Sequence, residues 1–380
     1  MSPSNPAMRS GDRAQPAPTL DLTGDVVDLT RDLIDIESVS GDERRLADAV
    51  EAALRACAHL EVTRIGNGVV ARTDVGAAER VVIAGHLDTV PIAEVDGVRN
   101  VPCIVEGEGD EARLVGRGAC DMKGGVAVAL HLAATISDPS RDVTWIFYDN
   151  EEVEESKNGL GIIAAQRPDL FSGTFAVLGE PTSAQVEGGC QGTLRVRIDL
   201  RGTAAHSARA WKGHNAIHDL GDVLARLAAH QPARVVVDGL EYREGLNAVK
   251  VGGGIAGNVI PDHAWVEINY RFAPDKDADA ALAHVQQVLG GYTLEVTDLA
   301  PGARPGLDRP AAAGFMAAVR GEAKPKFGWT DVARFAELGI PAVNFGPGDP
   351  SKAHADDEFC PAADIINCRD ALRRWLTSGD

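Results

Sequence analysis

At 380 residues the chain is too long for one typical hydrophobic core, so two domains are the starting expectation. Its composition, 44% hydrophobic and 24% charged, is that of a globular protein. With 37 basic and 56 acidic residues the formal net charge is −19. That balance argues against nucleic acid or an anionic membrane as the main partner, and any anionic substrate must meet locally placed Arg or Lys.

Residues 1–20, "MSPSNPAMRSGDRAQPAPTL", lack the apolar core of a secretory signal and read as a flexible tail. No apolar stretch approaches the roughly 18–20 residues that span a bilayer. The six cysteines are scattered, with no CxxC pair, which points to a reduced cytoplasmic protein. The spacing of apolar residues predicts amphipathic helices over 25–38 and 42–58. "RVVIAGHLDTVP" (80–91) reads as a buried strand ending in polar residues. "RLVGRGACDMKGG" (113–125) reads as a short strand and a Gly-rich turn leading into a helix over 125–136. Buried strands follow at 142–148 and 174–180, each ending on acid. Strands alternating with helices indicate an α/β sheet covered on both faces.

The texture changes near "GGCQG" (188–192). "TLRVRIDLRG" (193–202) alternates apolar and polar residues, as a sheet with one wet face does. A helix (214–229), strands near 233–238, 247–252 and 264–272, a helix (277–289) and a strand near 292–297 suit a ferredoxin-like α+β unit. After residue 300 the α/β texture returns, with helices at 310–320 and 330–338 and a strand and loop at 340–348. The expected organisation is a tail (1–20), a larger α/β domain in two parts (21–190 and 301–380), and an inserted unit (191–300).

The ends of the buried strands collect the chemistry. His86 and Asp88 end the first, the Gly-rich turn delivers Asp121, and "YDNEE" delivers Glu151 and Glu152. Glu180 ends the next strand, and a late loop offers His354. Ligand sites in open α/β sheets gather at the carboxyl ends of strands. Oxygen and imidazole donors converging there fit zinc or a similar divalent ion. Asp88, two residues past His86, is placed to accept the free ring N–H with its carboxylate. His214 and His218 mimic a zinc pair, but Asn215 stands where the zinc-protease motif needs Glu, so both read as helix and packing residues. Glu154 and Glu155, and Asp356, Asp357 and Glu358, read as solvated loop charge.

"GHLDTVP", "GRGACDMKGG", "YDNEE", "LGEPT", "GTAAHSA" and a late "AH" resemble, in order, the dinuclear-zinc aminoacylase and carboxypeptidase family. The resemblance covers nearly all of the chain outside the tail. It implies a zinc-peptidase-like α/β catalytic domain with an inserted ferredoxin-like lid that makes a homodimer. It further implies two zinc ions per subunit, with cobalt or another divalent ion able to substitute. Asp121 would bridge them, Glu152 and His354 would complete one site, and His86 and Glu180 the other. Glu151 would be the base, Asp88 the support of His86, and His206 the oxyanion stabiliser reaching a neighbouring subunit. Paired ions roughly 3.5–4 Å apart can share a water and lower its pKa, while a free carboxylate moves the proton.

The resemblance also implies an N-acyl amino acid as the small-molecule substrate. Asn258 and Arg271 stand where the family binds an α-carboxylate, and an Arg on a strand can hold one with two parallel bonds. Thr193, Arg209, Lys212 and Thr330 are further candidate contacts. Several segments are most similar to the bacterial subgroup that removes succinate from N-succinyl-LL-2,6-diaminopimelate in lysine and diaminopimelate synthesis. The alternatives are deacetylation of acetylornithine or another N-acyl amino acid, and, in a different class, metal or peptide binding without hydrolysis. Three departures bear on substrate recognition. Cys190–Gln191 replace paired arginines, Trp329–Thr330 replace Thr–Ser, and Pro350 replaces Asn.

Overall fold

The computed structural model describes residues 18–95 and 97–378, so most of the expected tail lies outside the described residues. Four parallel strands form the middle of an eight-stranded sheet: Asp142–Tyr148, Arg80–His86, Phe175–Leu178 and Ala342–Asn344, in that spatial order. Gly68–Arg72 and Glu61–Ile65 extend one side antiparallel, and Glu187–Gly188 and Lys324–Pro325 extend the other.

Successive side chains of these strands go to opposite faces, and both faces are dry. Ile83, Trp145, Phe147 and Val177 pack under the helices Val26–Ile34, Gly124–Thr135 and Ala362–Thr377. Ala84, Ile146, Tyr148 and Leu178 pack with the helices Gly159–Gln166 and Val332–Glu337. Burial on both faces explains why these strands read as continuous apolar runs rather than alternating ones. It also aligns their carboxyl ends, where His86, Asp149 to Glu152 and Glu180 leave the sheet. Close approach at that end depends on glycine. A Cβ on Gly125 or on Gly346 would lie 2.0 or 2.2 Å from the Gly179 carbonyl oxygen, well inside contact distance.

The second sheet has four antiparallel strands, in the order Gly245–Gly253, His263–Phe272, Gly192–Arg201, Glu295–Ala300. The helices Ala216–Ala229 and Ala278–Val288 cover one face, giving the βαββαβ connectivity of a ferredoxin-like unit. On the other face lie Thr193, Arg195 and Arg197, with Arg271 directly across from Thr193 and Asp298 across from Arg195.

The strand expected near 233–238 forms as Arg234–Val237, but it pairs with Leu240–Arg243 in a separate two-stranded hairpin and does not join the four-stranded sheet. Several boundaries also differ from expectation. The last strand begins at Glu295 rather than near 292, because the chain first turns through Gly291 in the left-handed region. The helix expected from 214 begins at Ala216, where the Asn215 side chain accepts the Ile217 N–H. His214 therefore stands outside the helix, exposed, with Nε2 2.6 Å from Asp219. His218 is exposed as well, so neither histidine has the packing role the sequence suggested.

Candidate metal centre

At the carboxyl end of the parallel strands, His86, Asp121 and Glu180 can bring one donor atom each within 4.8 Å of one another. Asp121, Glu152 and His354 form a second such triad, sharing Asp121. The two oxygens of Asp121 face different imidazoles: Oδ1 lies 3.1 Å from His86 Nε2 and Oδ2 3.3 Å from His354 Nε2. His354 Nε2 also lies 2.9 Å from Glu152 Oε1.

The other ring nitrogen of His86 is held from within its own loop. Nδ1 lies 3.0 Å from the Asp88 carbonyl oxygen and 3.5 Å from the Asp88 carboxylate. The expected carboxylate contact is therefore the longer of the two. The Asp88 carboxylate instead accepts the N–H groups of Glu151 (3.0 Å) and Glu152 (3.1 Å) and the Ser40 hydroxyl (2.7 Å). Fully buried, Asp88 fixes the turn that presents both glutamates.

The electrostatics are those of a site built around cations. Burial pushes the Glu180 carboxyl up to about 8, with repulsion from Asp121 adding to it. Its Oε1 is buried with no hydrogen-bond partner among the described residues. Burial likewise raises Glu151 well above the carboxylate range; His86 opposes this, while Glu180, Asp331 and Glu152 reinforce it. Hydrogen bonds to Asp121 and Glu152 push the His354 imidazole up to about 10. An orphaned buried carboxylate oxygen, with nitrogen and oxygen donors converging on a shared Asp121, fits a pair of divalent ions.

Glu151 also comes within reach of His86 and Glu152, so proximity alone does not separate base from ligand. Their partners differ: Glu152 meets His354, whereas the Glu151 side chain has no hydrogen bond or ion pair among the described residues.

A pocket of about 370 Å³ opens from Glu151 and Glu152 and is lined by Thr193, Arg195, Arg271 and Trp329 among others. Thr193 and Arg271 thus meet the glutamates. Thr330 does not: its hydroxyl is buried and donates to Asn344 Oδ1 at 2.9 Å. His206, Arg209, Lys212 and Asn258 form a separate exposed group. His206 Nδ1 accepts the Ala208 N–H, and the Asn258 carbonyl accepts the Ser207 N–H.

Sequence reasoning missed three positions and misread a fourth. Ser40, Arg117 and Arg195 are not marked by any motif spacing. Glu358, expected in solvent, is 1% exposed. Its Oε1 accepts the N–H groups of Cys120 and Asp121, each at 3.1 Å, and its Oε2 pairs with Arg117 at 2.9 Å. Arg117 reaches on to the carbonyls of Pro91 and Ala355, so one buried ion pair ties the loops after Asp88, around Asp121 and beside His354. The reason for burial is that the next residues, Phe359–Pro361, pair as a strand with Arg113–Val115 and draw Glu358 inward.

An α/β sheet whose parallel strands end in two overlapping carboxylate and imidazole triads, beside an unengaged glutamate, defines a metal-dependent hydrolase. The chain belongs to peptidase family M20/M25/M40, whose sequence pattern matches residues 82–378. It is 54% identical over 360 residues to a Mycobacterium tuberculosis (strain H37Rv) protein provisionally named succinyl-diaminopimelate desuccinylase, covering 94% of this chain and 99% of that one. It is 46% identical over 371 residues to the succinyl-diaminopimelate desuccinylase of Corynebacterium glutamicum, covering 95% and 98%. The fold matches the M20 metallo-carboxypeptidase Sso-CP2 of Sulfolobus solfataricus, with a TM-score of 0.74 at 16% identity over 93% of this chain and 98% of that one. It also matches the dinuclear metal binding peptidase YXEP of Bacillus subtilis, with a TM-score of 0.67 at 16% identity over 92% and 96%.

Proposed function

We propose that the protein hydrolyses N-succinyl-LL-2,6-diaminopimelate to succinate and LL-2,6-diaminopimelate, in lysine and diaminopimelate synthesis. The observation that carries this reading is a half-buried Arg271, with no ion pair among the described residues, in the same pocket as Glu151 and Glu152. An unpaired guanidinium there suits an anionic substrate. The names of the relatives at 54% and 46% identity support the same substrate.

Two divalent cations, zinc in this reading, would polarise the amide carbonyl and make a bound water acidic. His86 and Glu180 would hold one and Glu152 and His354 the other, with Asp121 between them. Glu151, having no competing partner, takes the proton of the attacking water and passes it to the departing nitrogen. Asp88 keeps Glu151 and Glu152 in register through their backbone N–H groups. Arg271 receives a substrate carboxylate, with Thr193 beside it.

His206 is exposed and its Nε2 makes no hydrogen bond or ion pair among the described residues, which suits a role in the site of a second copy, steadying the oxyanion. Homodimerisation is supported by the strand Gly245–Gly253, which is an unpaired edge carrying exposed Val249 and Val251. Among the described residues no helix is long and apolar enough to cross a membrane. The cysteines are all free, which supports a reducing cytoplasm.

A substrate panel with defined zinc tests the reading. N-succinyl-LL-2,6-diaminopimelate should exceed acetylornithine and N-acetyl amino acids in kcat/KM by at least about two orders of magnitude, since a site that pairs a substrate polar group can reject the analogue lacking it by as much as ~10⁴–10⁵. Equal or better turnover of acetylornithine would replace this function with deacetylation. In Glu151→Gln, turnover should fall by roughly 10²–10⁴ with about two metals per subunit retained. Full activity in that variant would remove Glu151 from its role.

A further inference from the structure

Cys190 and Gln191 stand where paired arginines were expected to read the substrate, and neither serves the pocket. Cys190 is buried with Sγ against the Thr330 carbonyl at 3.7 Å, and the Gln191 amide donates to the Arg243 carbonyl at 2.7 Å. Cationic charge enters the pocket further along the same segment, at Arg195. Thr193 lies opposite Arg271 and Arg195 opposite Asp298, so both guanidiniums rise from one face of the sheet as diagonal neighbours. Diagonal cross-strand positions are about 7–8 Å apart. Arg195 and Asp298 form a loose pair, at 3.5 Å with the two side chains 43% and 39% exposed. Arg271 has no ion pair among the described residues; burial and repulsion from Arg195 lower its pKa, and the more distant Asp298 opposes them only in part. At this corner of the pocket two adjacent guanidiniums share one acid, Asp298, which leaves one positive charge locally in excess across from the carboxylates of Glu151, Glu152 and Glu155. That arrangement gains free energy when anionic groups arrive.

We propose that Arg195, steered by Asp298, recognises a second substrate carboxylate beside the one taken by Arg271. The pocket then selects substrates with two separated carboxylates over those with one. The proposal rests on the hydrolase reading above and adds a residue to it. The second carboxylate belongs either to the acyl group or to the far end of the amine portion, and the test distinguishes the two.

Arg195→Gln and Arg195→Lys are assayed on four compounds: N-succinyl-diaminopimelate, N-acetyl-diaminopimelate, an N-succinyl amino acid with an uncharged side chain, and its N-acetyl counterpart. The glutamine variant should raise KM for N-succinyl-diaminopimelate at least tenfold with kcat within threefold, and the lysine variant should recover part of that loss. The N-acetyl amino acid, with one carboxylate, should be unaffected. If Arg195 reads the acyl arm, the loss extends to the N-succinyl amino acid and spares N-acetyl-diaminopimelate. If it reads the amine arm, the pattern reverses. Asp298→Asn should shift KM in the same direction as Arg195→Gln, by less. Unchanged KM for every compound with two or more carboxylates, or an equal loss on the N-acetyl amino acid, overturns the proposal while leaving the hydrolase reading intact. A wild-type enzyme that turns over none of the compounds with two or more carboxylates overturns both. Because Arg195 and Asp298 are both partly exposed and their pair is loose, thermal melting should change little in each variant, which separates substrate recognition from folding.

Discussion

Glu358, itself buried, spends its carboxylate on two backbone N–H groups and one guanidinium, in the loops that carry the candidate metal ligands Asp121 and His354. Groups that orient ligands this way typically cost 10–100-fold in metal affinity when removed. Glu358→Gln should therefore weaken metal binding by about that factor, read by chelator competition on folded protein. It should also destabilise the metal-free protein by roughly 3–5 kcal/mol, because Arg117 is left buried and unpaired. The double variant Arg117→Met with Glu358→Leu separates the two effects. An apolar pair can restore stability, yet it offers no acceptor to the Asp121 N–H. Metal affinity that recovers together with stability would reduce the pair to packing.

At the level of strands and loops, the start of the strand Asp142–Tyr148 is tied to its neighbours by one side chain. Asp142 accepts the Thr73 hydroxyl and the N–H groups of Val75 and Ala77. Burial works against its charge, but the Val75 N–H and the Thr73 hydroxyl outweigh it and hold the carboxyl below its ordinary 3.8. A carboxyl depressed in the folded state adds stability above its unfolded pKa and loses it as pH falls through the folded value. Asp142→Asn should cost about 1.5–3 kcal/mol near neutral pH. In urea melts the gap from wild type should close as pH drops below 3.8; a gap that persists in acid would mean that charge is not what the loop requires.

The parallel strands were legible because burial on both faces leaves unbroken apolar runs, and each run stops at an acid or imidazole that cannot stay buried unpaired. The four-stranded unit was legible from its two-residue alternation. Glu358 was not, since "DDEF" is locally an acidic loop and its partner Arg117 is 241 positions away. Alternation showed that Arg195 lies on the wet face of its strand, but not that this face turns toward Glu151. The helical spacing of His214 and His218 misled because the helix starts two residues later than the first of them.

For the whole molecule, the separation of His206 from the metal ligands makes subunit exchange informative. Mixing His206→Ala subunits with Glu151→Gln subunits should restore activity if one copy completes the other's site. Each mixed dimer then contains one site with both Glu151 and a second copy's His206. Absence of recovery, with exchange verified by mass, would confine His206 to its own subunit.

The order of strands along the chain also has a bearing on how the molecule is made. All four strands of the ferredoxin-like sheet lie within residues 192–300, whereas the inner parallel strand Ala342–Asn344 of the large sheet comes later, and His354 later still. During synthesis the smaller unit therefore has every residue it needs while the larger sheet still waits for an interior strand. Closing that sheet requires pairing Phe175–Leu178 with residues more than 160 positions away. Such distant pairing is slow. A ribosome-bound chain would carry the inserted unit complete while the candidate ligand set still lacks His354, so filling of the site that His354 would complete belongs to the last stage of folding, after the two halves of the large sheet have met.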